Sequence, residues 1–593
     1  MEIVIIMWYS YLDKIWFLLN TNMIYKMFKW GCYKMGKEQV DYIELEKLVD
    51  DWIPNLLNKR IPRYSFIFHC NCAYVDAIIE TGCFFSASES LERHMVFALN
   101  YLTHLAYKYL PEEDVFIYEV DESIYEYTYR LLMEAYKYAQ LCDIFPKTYN
   151  SKASFTKRDD LIIVNEEELY RESMHQCEYY LLRKPLHYIL QYGCGKTTKV
   201  DATRREMAIF DLFDSYWSEN ILNVDFEPYS AIEGAGLRDL LMLSAVKRYI
   251  LLYDADFKVR KLRWTQLLIC FSNKGASQIR TMIPTDNDEF YEQAIEDCIY
   301  KPLGKGTYPK SNLADAPIIK TKDGCMFANP FLLLFNNSID TQFLNYLRRH
   351  DNERFLKIKD KIKERCIPEV ELFLDRKIKG LYKISNFELK IPGTKNKREF
   401  DLLVCDPIGN ALYIEFKHFY YPESYSEKCN LDSELKKAQK KMKEQIYAIK
   451  ENTQEVMHLL KSDCKINNIK GVIVSYLYTG TDVDILDEYP IISLLTVKDA
   501  IESAHSIDEI YDYCQKSEKK HSSVPLVIKN IDVEYAKMKF TITKKVFDPE
   551  FERKANQQIY RRVVEAIDAG FALKRVQYKR LNLSDIVDAH NNS

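Results

Sequence analysis

A short turn between two apolar segments constrains the fold of this chain most strongly. Residues 400–405 and 411–419 are rich in β-branched, aromatic and other apolar side chains, which is typical of strands. The residues that connect them, 406–410, include Pro407, which favours the start of a turn, and Gly409, which can adopt a positive φ. The sequence therefore predicts two antiparallel strands joined by a tight turn.

Three side chains on these strands carry the chemistry. Asp401 lies on the first strand, whereas Glu415 and Lys417 lie two residues apart on the second strand and so share one face. Carboxylates supply the hard oxygen ligands that Mg²⁺ prefers, and a lysine beside the ion can orient or help to deprotonate a water. Attack on a phosphodiester requires this combination, so the three residues form a candidate catalytic site.

The Glu-x-Lys pattern alone has little specificity, because such a pair is usually an exposed ion pair. The same pattern occurs four more times, at Glu388/Lys390, Glu434/Lys436, Glu518/Lys520 and Glu552/Lys554. The last three lie in charge-rich, helix-like stretches, and the acid at comparable spacing before the first is Asp375, inside a predicted helix. Of these Glu-x-Lys pairs, Glu415/Lys417 is the one that lies, together with its upstream acid Asp401, on paired apolar strands.

The flanking sequence predicts the order of the surrounding elements. Pro368 favours the first turn of a helix that ends at Gly380. A strand over 381–391 follows, then the two strands described above, a long helix over 432–452 and a strand over 469–478. The predicted order is α-β-β-β-α-β.

This order, together with these residues, resembles the PD-(D/E)XK nuclease superfamily, whose core is the restriction-endonuclease-like fold. The resemblance covers residues 356–515. It implies that Asp401 and Glu415 bind Mg²⁺ or Mn²⁺, that Lys417 is the catalytic lysine, and that the backbone carbonyl of Phe416 is an additional metal ligand.

Two further residues match positions that the superfamily uses. Glu371 resembles the helix acid that many members place over the site, and Gln445 resembles a glutamine that braces the lysine or contacts a backbone phosphate. An ordinary solvated helix residue is the alternative for each. One departure is that no proline precedes Asp401; Glu399 and Phe400 stand there instead, and whether Glu399 joins the metal site is left open.

The 593 residues predict a multidomain α/β protein with five parts. They are an atypical apolar leader over 1–34, which would be explained if translation truly starts downstream of Met1; a helix-rich regulatory or assembly region over 35–300; a connector with a hairpin and a helix over 301–355; the nuclease-like domain over 356–515; and an α+β segment over 516–593.

Several elements of these parts have clear patterns. Apolar residues at three- and four-residue spacing predict helices over 89–109 and 122–141. Asp323-Gly324 predicts a hairpin turn in the connector. In the C-terminal segment we predict strands over 526–533 and 538–546, followed by an amphipathic helix over 550–569.

Charge and cysteine usage limit the environment and the partners. The net charge of −5 argues against a protein that coats nucleic acid nonspecifically. Residues 433–450 nevertheless contain six lysines against two glutamates, which fits either contact with phosphates or a solvated helix face. Fifteen cysteines without paired spacing make a disulfide framework improbable and predict a reducing cytoplasm, with no membrane favoured.

The expected function is therefore a metal-dependent nuclease that acts on nucleic acid, with DNA as the expected substrate and an anti-phage defence role in bacteria by analogy of domain arrangement. A regulatory protein partner or a homo-oligomer would form through the N-terminal region. Two alternatives remain: a noncatalytic nuclease fold that binds nucleic acid, and a scaffold or interaction protein whose helical half is the functional part.

Overall fold

The structure is a computed structural model, and the residues it describes lie between Tyr42 and Phe571 with several gaps. The described ranges are 42–83, 89–158, 160–167, 169–195, 209, 231–259, 262–272, 288–304, 306, 308–334, 339–393, 397–417, 420–461, 465–475, 478–483 and 488–571. The predicted leader over 1–34 lies outside them.

The helices occupy most of the N-terminal half and flank the strands of the C-terminal half. They are α1 Tyr42–Leu56, α2 Arg63–Glu80, α3 Glu89–Tyr109, α4 Glu122–Cys142, α5 Ile144–Tyr149, α6 Glu172–Gly195, α7 Ala231–Asp254, α8 Trp264–Leu267, α9 Asp288–Cys298, α10 Phe331–Leu334, α11 Ile339–His350, α12 Asn352–Lys377, α13 Tyr425–Glu451, α14 Thr453–Leu460, α15 Leu494–Ser503, α16 Ile507–Ser522 and α17 Pro549–Phe571.

The strands form three sheets with the orders β1-β2-β12-β11, β3-β5-β4 and β10-β9-β8-β7-β6. They are β1 Ala153–Arg158, β2 Leu161–Glu166, β3 Ile269–Phe271, β4 Ile318–Lys320, β5 Met326–Ala328, β6 Tyr382–Lys390, β7 Lys397–Cys405, β8 Asn410–Lys417, β9 Asn468–Ser475, β10 Ile491–Ser493, β11 Leu526–Tyr535 and β12 Met538–Phe547.

The five-stranded sheet is mixed and is covered by helices on both faces. Strands β6, β7 and β8 are antiparallel, whereas β8, β9 and β10 run parallel. Helices α12, α15 and α16 pack on one face and α13 and α14 on the other. Because both faces are buried, the central strands have continuous apolar runs over residues 402–405 of β7, 411–414 of β8 and 472–474 of β9. The predicted order α-β-β-β-α-β is present, with α14 added after α13.

The turn between β7 and β8 agrees with the prediction. Asp406 accepts hydrogen bonds from the backbone N–H groups of Ile408 and Asn410, at 3.0 and 2.8 Å. Gly409 has a φ of +93°, and a Cβ at this position would lie 2.3 Å from the carbonyl oxygen of Lys465. Both the backbone conformation and the close approach therefore require glycine here.

The predicted start of the helix before β6 is wrong. Helix α12 begins at Asn352, and Pro368 lies in its interior rather than in its first turn. Asp351 caps the helix by accepting the N–H of Arg354 at 3.1 Å. The buried residues Phe355, Ile358, Ile362 and Cys366 maintain an apolar stripe, so packing sustains the helix through the proline despite the lost hydrogen bond.

The predicted start of the long helix after β8 is also too late. Helix α13 begins at Tyr425 rather than near Asp432. Ser424 is its N-cap and accepts the N–H of Glu427 at 3.3 Å, and the side chain of Glu427 accepts the N–H of Glu423 at 2.8 Å. The bond to Ser424 satisfies a donor of the first turn, and the bond to Glu423 fixes the residue before the N-cap, which explains the earlier start.

The N-terminal region is helix-rich, and α3 and α4 confirm the two helices predicted there. It also contains the hairpin β1–β2, which was not predicted. Strand β12 pairs in parallel with β2, from Lys539–Leu161 to Ile542–Val164. Helix α17 packs on α6, and residues of the C-terminal segment belong to the same hydrophobic core as the N-terminal helices. The N-terminal region and the C-terminal segment thus share one sheet and one core.

The connector contains the predicted hairpin. Strands β4 and β5 pair antiparallel around a turn in which Gly324 has a φ of +85°, and β5 also pairs with β3. Among the helices that the structure describes, none combines the length and the apolar composition needed to cross a bilayer.

Candidate active site

The candidate site lies where β7 and β8 separate. Their ladder ends at the pair Leu402–Ile414, whereas the parallel ladder between β8 and β9 continues to Lys417–Ser475. Asp401 lies in the resulting opening, where its Oδ2 accepts the backbone N–H of Phe416 at 2.7 Å. A buried carboxylate thus takes the acceptor role that a backbone carbonyl would have in a continuous sheet.

The backbone of Phe416 places a second oxygen at the same opening. In a strand, the N–H and C=O groups of one residue point to the same side. Because the N–H of Phe416 points to Asp401, its carbonyl oxygen also points toward the opening. The position of this carbonyl is compatible with the role that the resemblance implied for it.

Glu415 is buried beneath α13 and is surrounded by donors. Its Oε1 accepts from Lys417 Nζ at 2.6 Å and from Lys441 Nζ at 3.3 Å. Its Oε2 accepts from Gln445 Nε2 at 2.9 Å and from the hydroxyl of Tyr413. Tyr413, Glu415 and Lys417 share one strand face, and Lys441 and Gln445 lie one turn apart on α13, so the two elements enclose the carboxylate between them.

The two carboxylates differ in their acidity. Burial raises the pKa of Asp401, and the nearby charge of Glu415 raises it further, although Lys363 opposes both effects. Burial alone would also raise the pKa of Glu415, but the ammonium groups of Lys417 and Lys441 lower it to about 2. Glu415 is therefore ionised at neutral pH, and a cation between the two acids would favour the charged form of Asp401 as well.

Lys363 of α12 reaches the site from the opposite helix layer. Its Nζ lies 2.8 Å from Asp401 Oδ1 and 3.2 Å from Glu399 Oε1. Glu399, whose place in the metal site the sequence left open, therefore contacts Lys363, and its side chain is 57% exposed.

The structure brings together Asp401, Glu415, Phe416, Lys417 and Gln445, but it does not bring Glu371 to them. Glu371 is half-buried on α12, eight residues beyond Lys363 and so about 12 Å farther along the helix axis. Within the described ranges it forms no hydrogen bond or ion pair with any of the other five.

The residues present fit a hard divalent cation. The available donors are two carboxylates and one backbone carbonyl, and Mg²⁺ is typically bound by one or two carboxylates with several waters retained. Gln445 Oε1 is buried and accepts no hydrogen bond from any described residue, so the site has an acceptor to spare for such a water. Across the described part of the chain, no three His, Cys, Asp or Glu side chains cluster in a way that could hold a metal ion.

Sequence reasoning missed three residues of the site: Lys363, Tyr413 and Lys441. Tyr413 precedes Glu415 by two positions on a strand, and Lys441 precedes Gln445 by four on a helix, so both share a face with a residue that was identified. No comparable signal marked Lys363, because the helix that carries it was predicted to begin after it.

The lysines of α13 do not share one environment. Lys441 belongs to the site, and Lys436 pairs with Asp482 at 3.2 Å, whereas Lys437 and Lys440 are exposed. The lysines of this helix therefore fall into two groups: Lys441 contacts Glu415 in the site, and Lys437 and Lys440 face solvent.

No protein-family model matches this sequence, and neither a curated protein nor a solved structure matches it.

Proposed function

We propose that the chain is a metal-dependent nuclease that hydrolyses phosphodiester bonds, with DNA as the preferred substrate. One observation carries the proposal: Asp401 lies in the opening between two separating strands, next to a strand that presents Glu415, the Phe416 carbonyl and Lys417. Two buried carboxylates beside a lysine at such an opening suit metal-assisted attack by water on a phosphate ester.

The proposed roles follow from the contacts. Asp401, Glu415 and the carbonyl of Phe416 would hold Mg²⁺ or Mn²⁺. The ion, when bound, polarises the phosphate and lowers the pKa of water. Lys417 would position the attacking water and stabilise the negative charge that develops at phosphorus.

Three residues would position Glu415 rather than touch substrate. Gln445 and Tyr413 both donate to Glu415 Oε2 and so fix the rotation of its carboxylate. Lys441 shares Oε1 with Lys417. Because four donors surround one carboxylate, its orientation is set before substrate arrives, which is the preorganisation that catalysis requires.

We further propose that residues 356–515 adopt the restriction-endonuclease-like core. The mixed sheet β6–β10, with α12 on one face and α13 on the other, supports this assignment. We also propose a reducing cytoplasm as the environment, on the basis of fifteen cysteines that lack paired spacing in the sequence. The anti-phage role rests on analogy of domain arrangement alone.

The decisive test is incubation of the full chain with plasmid, single-stranded DNA and RNA, each with Mg²⁺, Mn²⁺ or EDTA. We expect metal-dependent cleavage of DNA that EDTA abolishes. Binding without cleavage under every metal condition would favour a noncatalytic nucleic-acid-binding protein. Absence of both would favour a scaffold whose helical half is functional.

A further inference from the structure

Both oxygens of Asp401 are engaged. Oδ2 accepts the N–H of Phe416 at 2.7 Å, and Oδ1 contacts Lys363 Nζ at 2.8 Å. A divalent ion that binds this carboxylate would therefore meet the ammonium group of Lys363 beside Oδ1, and the two positive charges repel each other. The N–H of Phe416 is fixed by the ladder between β8 and β9, whereas Lys363 is a long side chain that is 31% exposed. Lys363 is the donor that can leave.

Glu399 gives the displaced ammonium a second partner. Its Oε1 lies 3.2 Å from Lys363 Nζ, two residues from Asp401 on the same strand. Glu399 is 57% exposed, so an ion pair with it requires less desolvation than the contact with buried Asp401. A small rotation of the lysine side chain would exchange one carboxylate for the other.

We propose that Lys363 is an internal counter-cation that competes with the divalent metal ion for Asp401, and that Glu399 receives it when the metal binds. This inference rests on the proposed function, because it assumes that Asp401 is a metal ligand. Lys363 is then a positioning residue, which holds Asp401 in place in the metal-free protein and raises the metal concentration at which the site fills.

The inference predicts opposite effects for two neighbouring substitutions. Lys363→Met removes the competitor, so Mn²⁺ should bind about tenfold more tightly, as expected when a charged hydrogen bond no longer has to be broken. Glu399→Gln removes the second partner and should weaken Mn²⁺ binding, because the lysine then remains on Asp401. Lys363→Arg, which retains the charge, should stay close to the wild type.

The measurement is isothermal titration calorimetry of Mn²⁺ into the full chain, with folding of each variant checked by circular dichroism. Lys383→Met is the matched control, because Lys383 pairs with Asp375 and also joins the sheet to α12, but outside the site. It should leave Mn²⁺ affinity unchanged.

The outcomes separate this inference from the proposed function. If the wild type binds no Mn²⁺, or if Asp401→Asn binds it equally well, the proposed function fails. If the wild type binds Mn²⁺ through Asp401 but Lys363→Met binds it equally or less tightly, the counter-cation role alone is overturned. Unchanged affinity in Glu399→Gln would remove the second partner from the scheme, and it would overturn the exchange even if Lys363→Met failed to fold.

Discussion

Glu415 accepts hydrogen bonds from four side-chain donors, whereas Asp401 contacts one backbone N–H and one lysine, so Glu415 is the more firmly oriented of the two acids. Strand alternation identified Asp401, Glu415 and Lys417, because facing residues on paired strands need only the period of two. It could not identify Lys363, because the helix that carries this residue was predicted to begin after it. Glu371 was chosen from the same helix, but its position along the axis places it away from the carboxylates.

Removal of either acid should abolish cleavage. Asp401→Ala and Glu415→Ala each delete a proposed ligand, so metal-dependent hydrolysis should fall to background while the fold remains. Cleavage assays with Mg²⁺ and Mn²⁺, combined with circular dichroism, would measure this. Full activity in either folded variant would contradict the assignment.

Lys417 should contribute to rate rather than to metal binding. Because its Nζ is proposed to act on the water and on charge at phosphorus, Lys417→Ala should lose roughly 10² in cleavage rate and still bind Mn²⁺. Single-turnover kinetics and calorimetry would separate the two effects. Lys383→Ala is the control, because Lys383 pairs with Asp375 outside the site; loss of metal binding in Lys417→Ala would instead indicate a structural role.

The lysines of helix α13 differ in their burial and contacts, and so in whether they could contact phosphates. The sequence identified its lysine-rich character, but burial decides which lysines could meet phosphates. Lys441 pairs with Glu415, so reversing its charge would disrupt the site itself. Lys437 and Lys440 are the exposed pair in which substrate contact can be tested separately.

The double variant Lys437→Glu/Lys440→Glu should weaken DNA binding and its dependence on salt. Each lost phosphate contact should reduce the slope of log K against log salt by about one. Filter binding across a salt series, in EDTA to prevent cleavage, would measure the slope. An unchanged slope would assign DNA holding to the N-terminal region or to the segment after 520.

Replacing Gly409, in the turn between β7 and β8, by alanine should lower the free energy of unfolding more than replacing Gly393, which follows β6. Both have positive φ, so alanine should cost about 1 kcal/mol of unfolding free energy at either position. Alanine at 409 would also clash with the carbonyl of Lys465, whereas no atom of the described residues is found within 4 Å of a Cβ at 393. Urea denaturation should show the larger loss for Gly409→Ala; equal losses would show that the turn relaxes.

Local signals predicted the hairpins β4–β5 and β7–β8 and the starts of α3 and α4, but they missed the hairpin β1–β2 and placed the starts of α12 and α13 too late. The β7–β8 turn is encoded by its own residues, Pro407 and Gly409, and the β4–β5 turn by Gly324. Helix α12, by contrast, continues through Pro368 because its apolar stripe packs on the sheet, and a single sequence does not report that packing energy. The pairing of β2 with β12 has no local signal at all, since its partners are distant in sequence.

Acid should destabilise the N-terminal region before the carboxylates titrate. Burial lowers the pKa of His69 and His187, and burial together with Lys544 lowers the pKa of His94 to about 3. Because the pKa of each histidine is lower in the folded than in the unfolded chain, the unfolded chain binds more protons in acid, and stability should fall as pH drops below about 6.5, by up to ~1.4 kcal/mol per pH unit for each histidine.

Thermal unfolding between pH 7.5 and 5 would measure this loss. His94→Gln should reduce the loss of stability per pH unit by the contribution of one histidine, because glutamine takes up no proton in either the folded or the unfolded chain. A variant as acid-sensitive as the wild type would contradict the assignment to His94.

The pairing of β2 with β12 has a consequence for synthesis on the ribosome. The two strands lie roughly 370 residues apart, so at typical translation rates of 5–20 residues per second β2 is made ~20–75 s before its partner. Strands β6 to β8, with Asp401 and Glu415, emerge during that interval. Newly made chains thus carry the acids and the lysine while one side of β2 is still open to chaperones or to other chains.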